Sequence, residues 1–319
     1  MKEIGGYFEL EKYQGGTREY YENLLSLNIA RNSLLYIIKA KKITKLYIPF
    51  YLCSVISLML DNMNIKYDYY HIDDNFYPVF NNKLGSNEFL YIVNYYGQIT
   101  KDDLIVLKKI YKNIIVDNVQ AFFQKPIENI DTIYSCRKFF GVPDGSYLYT
   151  DVKLSEELDV DSSENRVSHI YGRQKDGASQ HYKEFKEIDA SFDNLQLMKM
   201  SNLTHDMLKK INYEKVKQTR TDNYEYLYNK LVKINKLKLK LIEGAFAYPF
   251  YIKNGTEIKK KLAIKGIYIP TLWPNVLELP NNMIEKDYAE NILPLPCDQR
   301  YTTDDMQIIV DEIIEINRS

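Results

Sequence analysis

Cysteine is scarce in this chain of 319 residues: Cys53, Cys136 and Cys297 are the only three. Their odd number and wide separation exclude a disulfide-stapled framework and fit a reducing compartment, so a cytoplasmic address is expected. The four histidines, His71, His169, His181 and His205, stand at no metal-ligand spacing from a cysteine or a carboxylate. No metal site is therefore expected. Charge of one sign is also lacking: 42 basic against 43 acidic residues leave a formal charge of −1, with no overall pull toward nucleic acid or an anionic membrane. No apolar run approaches the roughly 20 residues that span a bilayer. Met1 is followed by the polar "KEIGG", unlike the charged and then apolar start of a signal peptide. Internal repeats and low-complexity linkers are absent.

What is present describes a folded, water-soluble protein. The chain is 45% apolar and 27% charged, and its length exceeds that at which one core usually stops growing, which favours two domains. The lysine runs at 39–42 and 259–262 read as solvated helix faces. Strand-like runs rich in β-branched and aromatic residues occur at 45–50, 66–72, 88–96, 113–119, 131–136 and 146–150. Helical patterns at 32–43 and 101–111 alternate with them. That alternation is the rhythm of an α/β domain with a largely parallel sheet. From about Leu203 a helical apolar period runs for some thirty residues, so the chain divides into 1–205 and a smaller C-terminal domain, 206–319. The second part carries strand candidates at 246–253 and 266–273 with a helix at 256–265 between them. It closes on a helix that Thr302 and Asp305 open as a capping-box pair.

In open α/β sheets ligands bind beyond the carboxyl ends of the strands, so polar residues that end apolar runs are the candidates for chemistry. Asp117 closes "NIIVDNV", and Lys138 follows the next strand in "IYSCRKFFGVPDGS", three residues after Ser135. A lysine among apolar neighbours is either a surface turn or an amine meant to react, because desolvating an ammonium ion is costly and lowers its pKa; on the second reading Phe139 and Phe140 shield the amine by excluding water. A lysine, a buried carboxylate and a phosphate-sized polar pocket are together what pyridoxal phosphate requires. The phosphate needs a helix N-terminus, and "LNIARNSLLYII" offers one where Ala30, Arg31 and Asn32 enter a helix.

The motif order resembles that of the DegT/DnrJ/StrS family of sugar aminotransferases. "ARNSLLYII" is similar to the family's small-residue turn before the phosphate-binding helix, and "YIPFYLCSVI" to its proline–aromatic–threonine segment. "VNYYGQ" stands where the family has a variant of "HLYGQ", "VDNVQAFF" resembles "EDAAQA", and "SCRKFFGVPDGSYLY" resembles the Schiff-base segment, with Asp144 and Gly145 at the family's "GEGG". "ENILPLPCDQRYTTDDMQIIVDEI" resembles the family's closing helix. The resemblance implies the type I fold of pyridoxal-phosphate enzymes, with a large seven-stranded-type, mainly parallel sheet and a smaller α+β domain. It implies a homodimer acting on small molecules, an amino-acid donor and a keto-sugar.

Carried over by position, the resemblance makes Lys138 the Schiff-base residue and Asp117 the partner of the pyridine nitrogen. Gln120 becomes a contact on the ring-hydroxyl side, and Ser135, Ala30, Arg31 and Asn32 become the phosphate surroundings. The family's ring-stacking aromatic falls near Cys53, leaving Tyr51 or Phe50 as substitutes. Ser135 lies three residues before the lysine where the family's serine lies five before. The family's cross-subunit "GYN" loop has no clear match, and 166–182 is a possible replacement. Arg137 reads as an ion-pair partner, His181 and Arg173 as surface-loop residues, Trp273 and the 294–296 turn as packing, and Tyr95 and Tyr96 as either core or site wall. Two other readings stay open. One is a pyridoxal-phosphate deoxysugar dehydratase, whose relatives carry histidine at the lysine position; the other is a non-catalytic homologue.

Overall fold

A computed structural model of the chain describes residues 2–11 and 15–318. Strand β1 (Ile4–Gly5) and strand β2 (Leu25–Leu27) precede helix α1 (Ala30–Lys41). There follow β3 (Lys45–Pro49), α2 (Ser54–Asn62), β4 (Lys66–Ile72), β5 (Pro78–Val79), β6 (Glu88–Val93), α3 (Lys101–Tyr111), β7 (Ile114–Asp117), β8 (Asp131–Ser135) and β9 (Ser146–Tyr149). The chain continues through α4 (Ser168–Asp176), α5 (Tyr182–Ser191), α6 (Asn202–Lys209) and α7 (Tyr213–Leu231). It ends with β10 (Tyr248–Tyr251), α8 (Gly255–Ile264), β11 (Ile267–Tyr268), α9 (Ile284–Asn291), β12 (Ile292–Leu295) and α10 (Thr303–Arg318).

Eight strands form the main sheet in the order β2-β9-β8-β7-β6-β3-β4-β5. The five from β8 to β4 are parallel, and the antiparallel pairings fall at the margins. The eighth strand, beyond the expected seven-stranded type, is the two-residue β5 paired to His71 and Ile72. A parallel sheet covered on both faces buries its strands throughout, which is why Ile48, Leu90, Ile115 and Ile133 are wholly inaccessible. Crossover helices cover it. Helix α3 begins at a reciprocal cap: Thr100 Oγ1 accepts from Asp103 N–H at 3.3 Å, and Asp103 Oδ2 accepts from Thr100 N–H at 2.8 Å.

The long helical period after Leu203 is two helices rather than one. It breaks between Lys209 and Tyr213, where the Asn212 side chain accepts from Lys215 N–H and starts α7 afresh. In the C-terminal part, β10 and β12 pair antiparallel, and α7, α8 and α10 close a second core around Leu227, Tyr248, Leu262, Leu293 and Ile309. The run 266–273 forms only the short β11, because its partner is the two-residue β1. That pairing fastens the N-terminus to the C-terminal part. Asp305 accepts from the Thr302 N–H at 2.9 Å, as the capping pattern requires.

A third cluster, Phe122, Phe139, Phe140, Tyr134, Met207 and Tyr213, lies beneath the segment after β8. Over it runs Arg220 of α7, with no exposed surface. Its guanidinium donates to the carbonyls of Ala245 and Phe139, each at 2.9 Å, and to Gln299 Oε1 at 2.8 Å. Gln299 Nε2 donates to the same Phe139 carbonyl at 2.8 Å. Arg220→Ala leaves buried carbonyls without donors and opens a cavity, so it should lower stability by about 3 kcal/mol. Urea unfolding measures this, and backbone amide exchange should quicken at residues 139–141.

Candidate active site

The carboxyl ends of β7 and β8 carry the first two groups. Asp117, the last residue of β7, is buried, with Oδ2 accepting from Tyr91 O–H at 2.5 Å and Oδ1 from Val119 N–H at 2.9 Å. No cationic side chain is bonded to it among the described residues. Burial pushes its carboxyl up to about 6, opposed by the Tyr91 and Val119 bonds and by the charge of Lys138. Ser135 ends β8, and a tight turn follows in which the N–H groups of Phe139 and Phe140 both donate to the Cys136 carbonyl.

Lys138 rides on this turn with its side chain exposed. The expectation that Phe139 and Phe140 would shield the amine is corrected. Their rings turn away into the aromatic cluster, Phe139 against Phe122 at 5.5 Å and Phe140 edge-on to Tyr213 at 5.5 Å. Lys138 faces instead a cleft of about 720 Å³ between the main sheet, α4–α5 and the C-terminal part. Ser135 and Arg137 share this wall, with Tyr7, His169, Tyr182 and Tyr268 opposite. Asp117 lies outside that lining.

The start of α1 has backbone to offer and side chains that are engaged. Its N-cap, Ile29, supplies no side-chain acceptor, and no acidic residue stands in the first turn, so the leading N–H groups at Ala30, Arg31 and Asn32 have no side-chain partner among the described residues. The Arg31 guanidinium donates to Phe192 O and reaches Asp193 at 3.4 Å. The Asn32 amide donates to Asn28 Oδ1 at 2.9 Å and to the carbonyls of Leu195 and Gln196. These two side chains fasten the segment 192–196 across the helix start.

Four other expected residues, Gln120, Tyr51, Phe50 and Cys53, stand elsewhere. Gln120 Oε1 accepts from Tyr96 N–H at 2.8 Å, bracing a turn in which Tyr96 has a φ of 54°. Tyr51 is buried against Trp273 at 4.8 Å and Tyr95 at 5.2 Å, so it belongs to the core, as do Tyr95 and Tyr96. Phe50 stacks outward with Tyr69 at 4.7 Å, and Cys53 is half-buried at the start of α2. Neither Tyr51 nor Phe50 presents a ring beside Lys138.

The segment 166–182 is largely helix α4, not a mobile loop. Arg173 within it is a buried anchor that donates to the carbonyls of Gly5 and Tyr7 and to Glu9. His181 is bonded to Asp176 and Glu184.

Two groups escaped the sequence reading. Tyr91, the donor to Asp117, lies two residues before Val93, the register partner of Asp117; a hydroxyl-bearing residue on the same face of an otherwise apolar strand was the available signal. His169 is buried in the cleft wall between Tyr7 and Phe185, its Nδ1 without a partner. Burial, aided by the charge of Arg137, pushes its imidazole down to about 4. No cluster of His, Cys, Asp and Glu among the described residues could hold a metal.

These residues fit pyridoxal phosphate at three of its ends. A primary amine is open to the cleft for the aldehyde, a buried carboxylate lacks a cation for the pyridine nitrogen, and unpartnered backbone N–H groups with the Ser135 hydroxyl suit the phosphate. The flat ring faces receive no aromatic neighbour from Tyr51 or Phe50.

No family model matches the chain, and no curated protein matches it in sequence. Solved structures do. The chain is similar to Helicobacter pylori PseC, an aminotransferase involved in the biosynthesis of pseudoaminic acid, with a TM-score of 0.63 and 13% identity over 98% of this chain and 99% of that one. It is also similar to the S. venezuelae DesV structure, solved with a ketimine intermediate, with a TM-score of 0.60 and 12% identity over 91% and 84%. The putative sugar aminotransferase Spr1654 of Streptococcus pneumoniae, in its PLP form, gives a TM-score of 0.59 and 13% identity over 96% and 91%. The chain thus has the fold of the pyridoxal-phosphate-dependent aminotransferases. Two of the neighbours are described as sugar aminotransferases, one of them putative, and another as a DegT DnrJ EryC1 StrS aminotransferase.

A carboxyl raised by burial favours the protonated folded state, so its stability is full below pH 4 and is lost as pH rises through about 6. Cofactor-free Asp117→Asn should therefore exceed the parent in stability by about 1–3 kcal/mol at pH 8, with the difference closing near pH 4. Urea midpoints at the two pH values measure it.

Proposed function

We propose that the chain is a pyridoxal-phosphate aminotransferase, a member of the DegT/DnrJ/StrS family, that moves an amino group from an amino acid, glutamate, onto a keto-sugar. The sugar is nucleotide-linked, and the product serves amino-sugar or surface-polysaccharide biosynthesis in the cytoplasm. The observation that carries the reading is the pairing of an open amine, Lys138, with a buried carboxylate that has no cation, Asp117, at the ends of adjacent parallel strands. The shared fold supports it, and so does the neutral charge balance of the chain, which suits small-molecule chemistry. No helix among the described residues is long and apolar enough to cross a membrane.

When bound, the cofactor supplies an electron sink for the bond being broken. Asp117 would hold a proton on the pyridine nitrogen by charge. Its folded setting is costly without that partner, so the protonated ring relieves the burial of the carboxylate. Tyr91 and Val119 fix the carboxylate's orientation through its two oxygens. Lys138 would hold the cofactor through Nζ, and its free amine would take and return the proton at the reacting carbon. The turn at Cys136–Phe140, pinned by Arg220 and Gln299 at the Phe139 carbonyl, limits how far that amine can wander. Ser135 and the start of α1 would hold the phosphate through hydroxyl and backbone donors. The protein acts as a homodimer whose second subunit borders the exposed mouth of the cleft.

The missing aromatic on the ring face favours one other reading, a homologue that binds the cofactor without turnover. Lys138, in place of a histidine, argues against the dehydratase.

Purified protein with added pyridoxal phosphate should be yellow. Borohydride reduction followed by peptide mapping should place the adduct on Lys138 alone. An adduct on another lysine, or no absorbance at all, would mean that the turn is a surface feature.

A further inference from the structure

His169 of α4 lines the cleft, is 6% exposed, and takes no part in the amino transfer assigned to Lys138 and Asp117. Two tilted rings hold it, with the Tyr7 centroid 5.8 Å and the Phe185 centroid 5.6 Å from its own. Those rings stack on each other at 4.5 Å, and both line the same cleft. Tyr7 is itself fastened: its O–H donates to the Ala178 carbonyl at 2.9 Å, and its carbonyl accepts from Arg300 at 2.9 Å. Packing therefore fixes the imidazole, while hydrogen bonding does not. No described residue bonds to the ring: Nδ1 is buried without a partner, and Nε2 is left to the cleft.

Buried polar groups nearly always have a partner, so the partner of this one comes from outside the chain. Its chemical class follows from charge. Burial, aided by the Arg137 guanidinium and opposed by Glu184 and Asp189, holds the imidazole down at about 4. It is uncharged at neutral pH. A neutral imidazole has one N–H to donate and one lone pair to accept with, which suits a hydroxyl better than a carboxylate or a phosphate, whose strong partners are cations. The walls around it agree. Tyr7, Tyr182, Phe185 and Tyr268 give the cleft aromatic surface, and such a site packs the apolar part of a ligand on its aromatics and orients it through a few fixed polar groups. On the same wall the hydroxyls of Ser179 and Tyr268 are bonded to each other at 2.9 Å and to Glu3. His169 has no such engagement.

We propose that His169 is a specificity-determining contact for the sugar ring of the amino-group acceptor, hydrogen-bonding one ring hydroxyl through the nitrogen that faces the cleft. Tyr7 and Phe185 hold the imidazole in place for it. The inference rests on the keto-sugar reading of the acceptor.

The test is a binding titration of the full chain, with pyridoxal phosphate present. The probes are the glucose esters of uridine and thymidine diphosphate, their singly deoxygenated analogues and the bare diphosphates. In the parent protein, removal of one particular hydroxyl should raise Kd about tenfold. His169→Phe, which keeps the ring stack, should weaken the intact ester by about the same factor, leave the bare diphosphate within about twofold, and erase the penalty for that hydroxyl. His169→Gln, which keeps a donor and an acceptor, should recover most of the loss. A parent protein indifferent to every hydroxyl would overturn the proposal, and that arm needs no variant to fold. Equal weakening of ester and bare diphosphate in His169→Phe would do the same. Protein that releases 2-oxoglutarate from glutamate yet binds neither ester would sink the inference and leave the aminotransferase reading standing. Protein that binds an ester through His169 but forms no keto acid from any amino acid would sink that reading and leave the contact in place.

Discussion

A carboxylate held in the interior at the end of an apolar strand, with no cation bonded to it, is the constraint around which this molecule is arranged. Asp117 is kept in place by Tyr91 of the neighbouring strand and by the backbone two residues on, and its burial pushes the carboxyl up to about 6. Such a group weakens the free protein at neutral pH. Proteins retain such costs mainly where chemistry uses them. The parallel sheet makes the arrangement possible, because β6, β7 and β8 end side by side and bring Tyr91, Asp117 and Ser135 to the same region.

The second element is the bond network that joins the C-terminal part to the lysine turn. Arg220 on α7 and Gln299 before α10 both donate to the Phe139 carbonyl. Glu11, pushed up to about 7 by burial, accepts from Gln299 Nε2 and from Gly141 N–H. Residues from three distant parts of the chain thus converge on the backbone just after Lys138. A change in how the C-terminal part packs is therefore felt one peptide from Lys138.

Much of this was legible in the sequence. The strand at 131–136 was readable because a sheet buried on both faces leaves a near-continuous apolar run, the more exposed one at 66–72 through its aromatic residues, and α10 opens where the pair Thr302 and Asp305 put it. The order of motifs placed Lys138 and Asp117 on adjacent strand ends. Side-chain direction was not legible. Phe139 and Phe140 read as a shield for the lysine, yet the turn at Cys136 sends their rings into the core and the amine outward. Arg31 and Asn32 read as cofactor contacts, but their partners lie more than 160 positions away, at Phe192 to Gln196, and no local pattern announces a contact of that range. The break before α7 depends on one capping asparagine within an otherwise continuous helical period.

The account claims that Lys138 and Asp117 together drive amino transfer, and one reaction cycle tests that most directly. Protein loaded with pyridoxal phosphate and mixed with excess glutamate, without an acceptor, should release about one equivalent of 2-oxoglutarate per chain. The yellow absorbance should be lost at the same rate. Lys138→Ala and Asp117→Asn should release almost none. Cofactor that loads fully while the parent protein releases neither 2-oxoglutarate from glutamate nor the corresponding keto acid from any other amino acid would contradict the account and identify a binding protein rather than an enzyme.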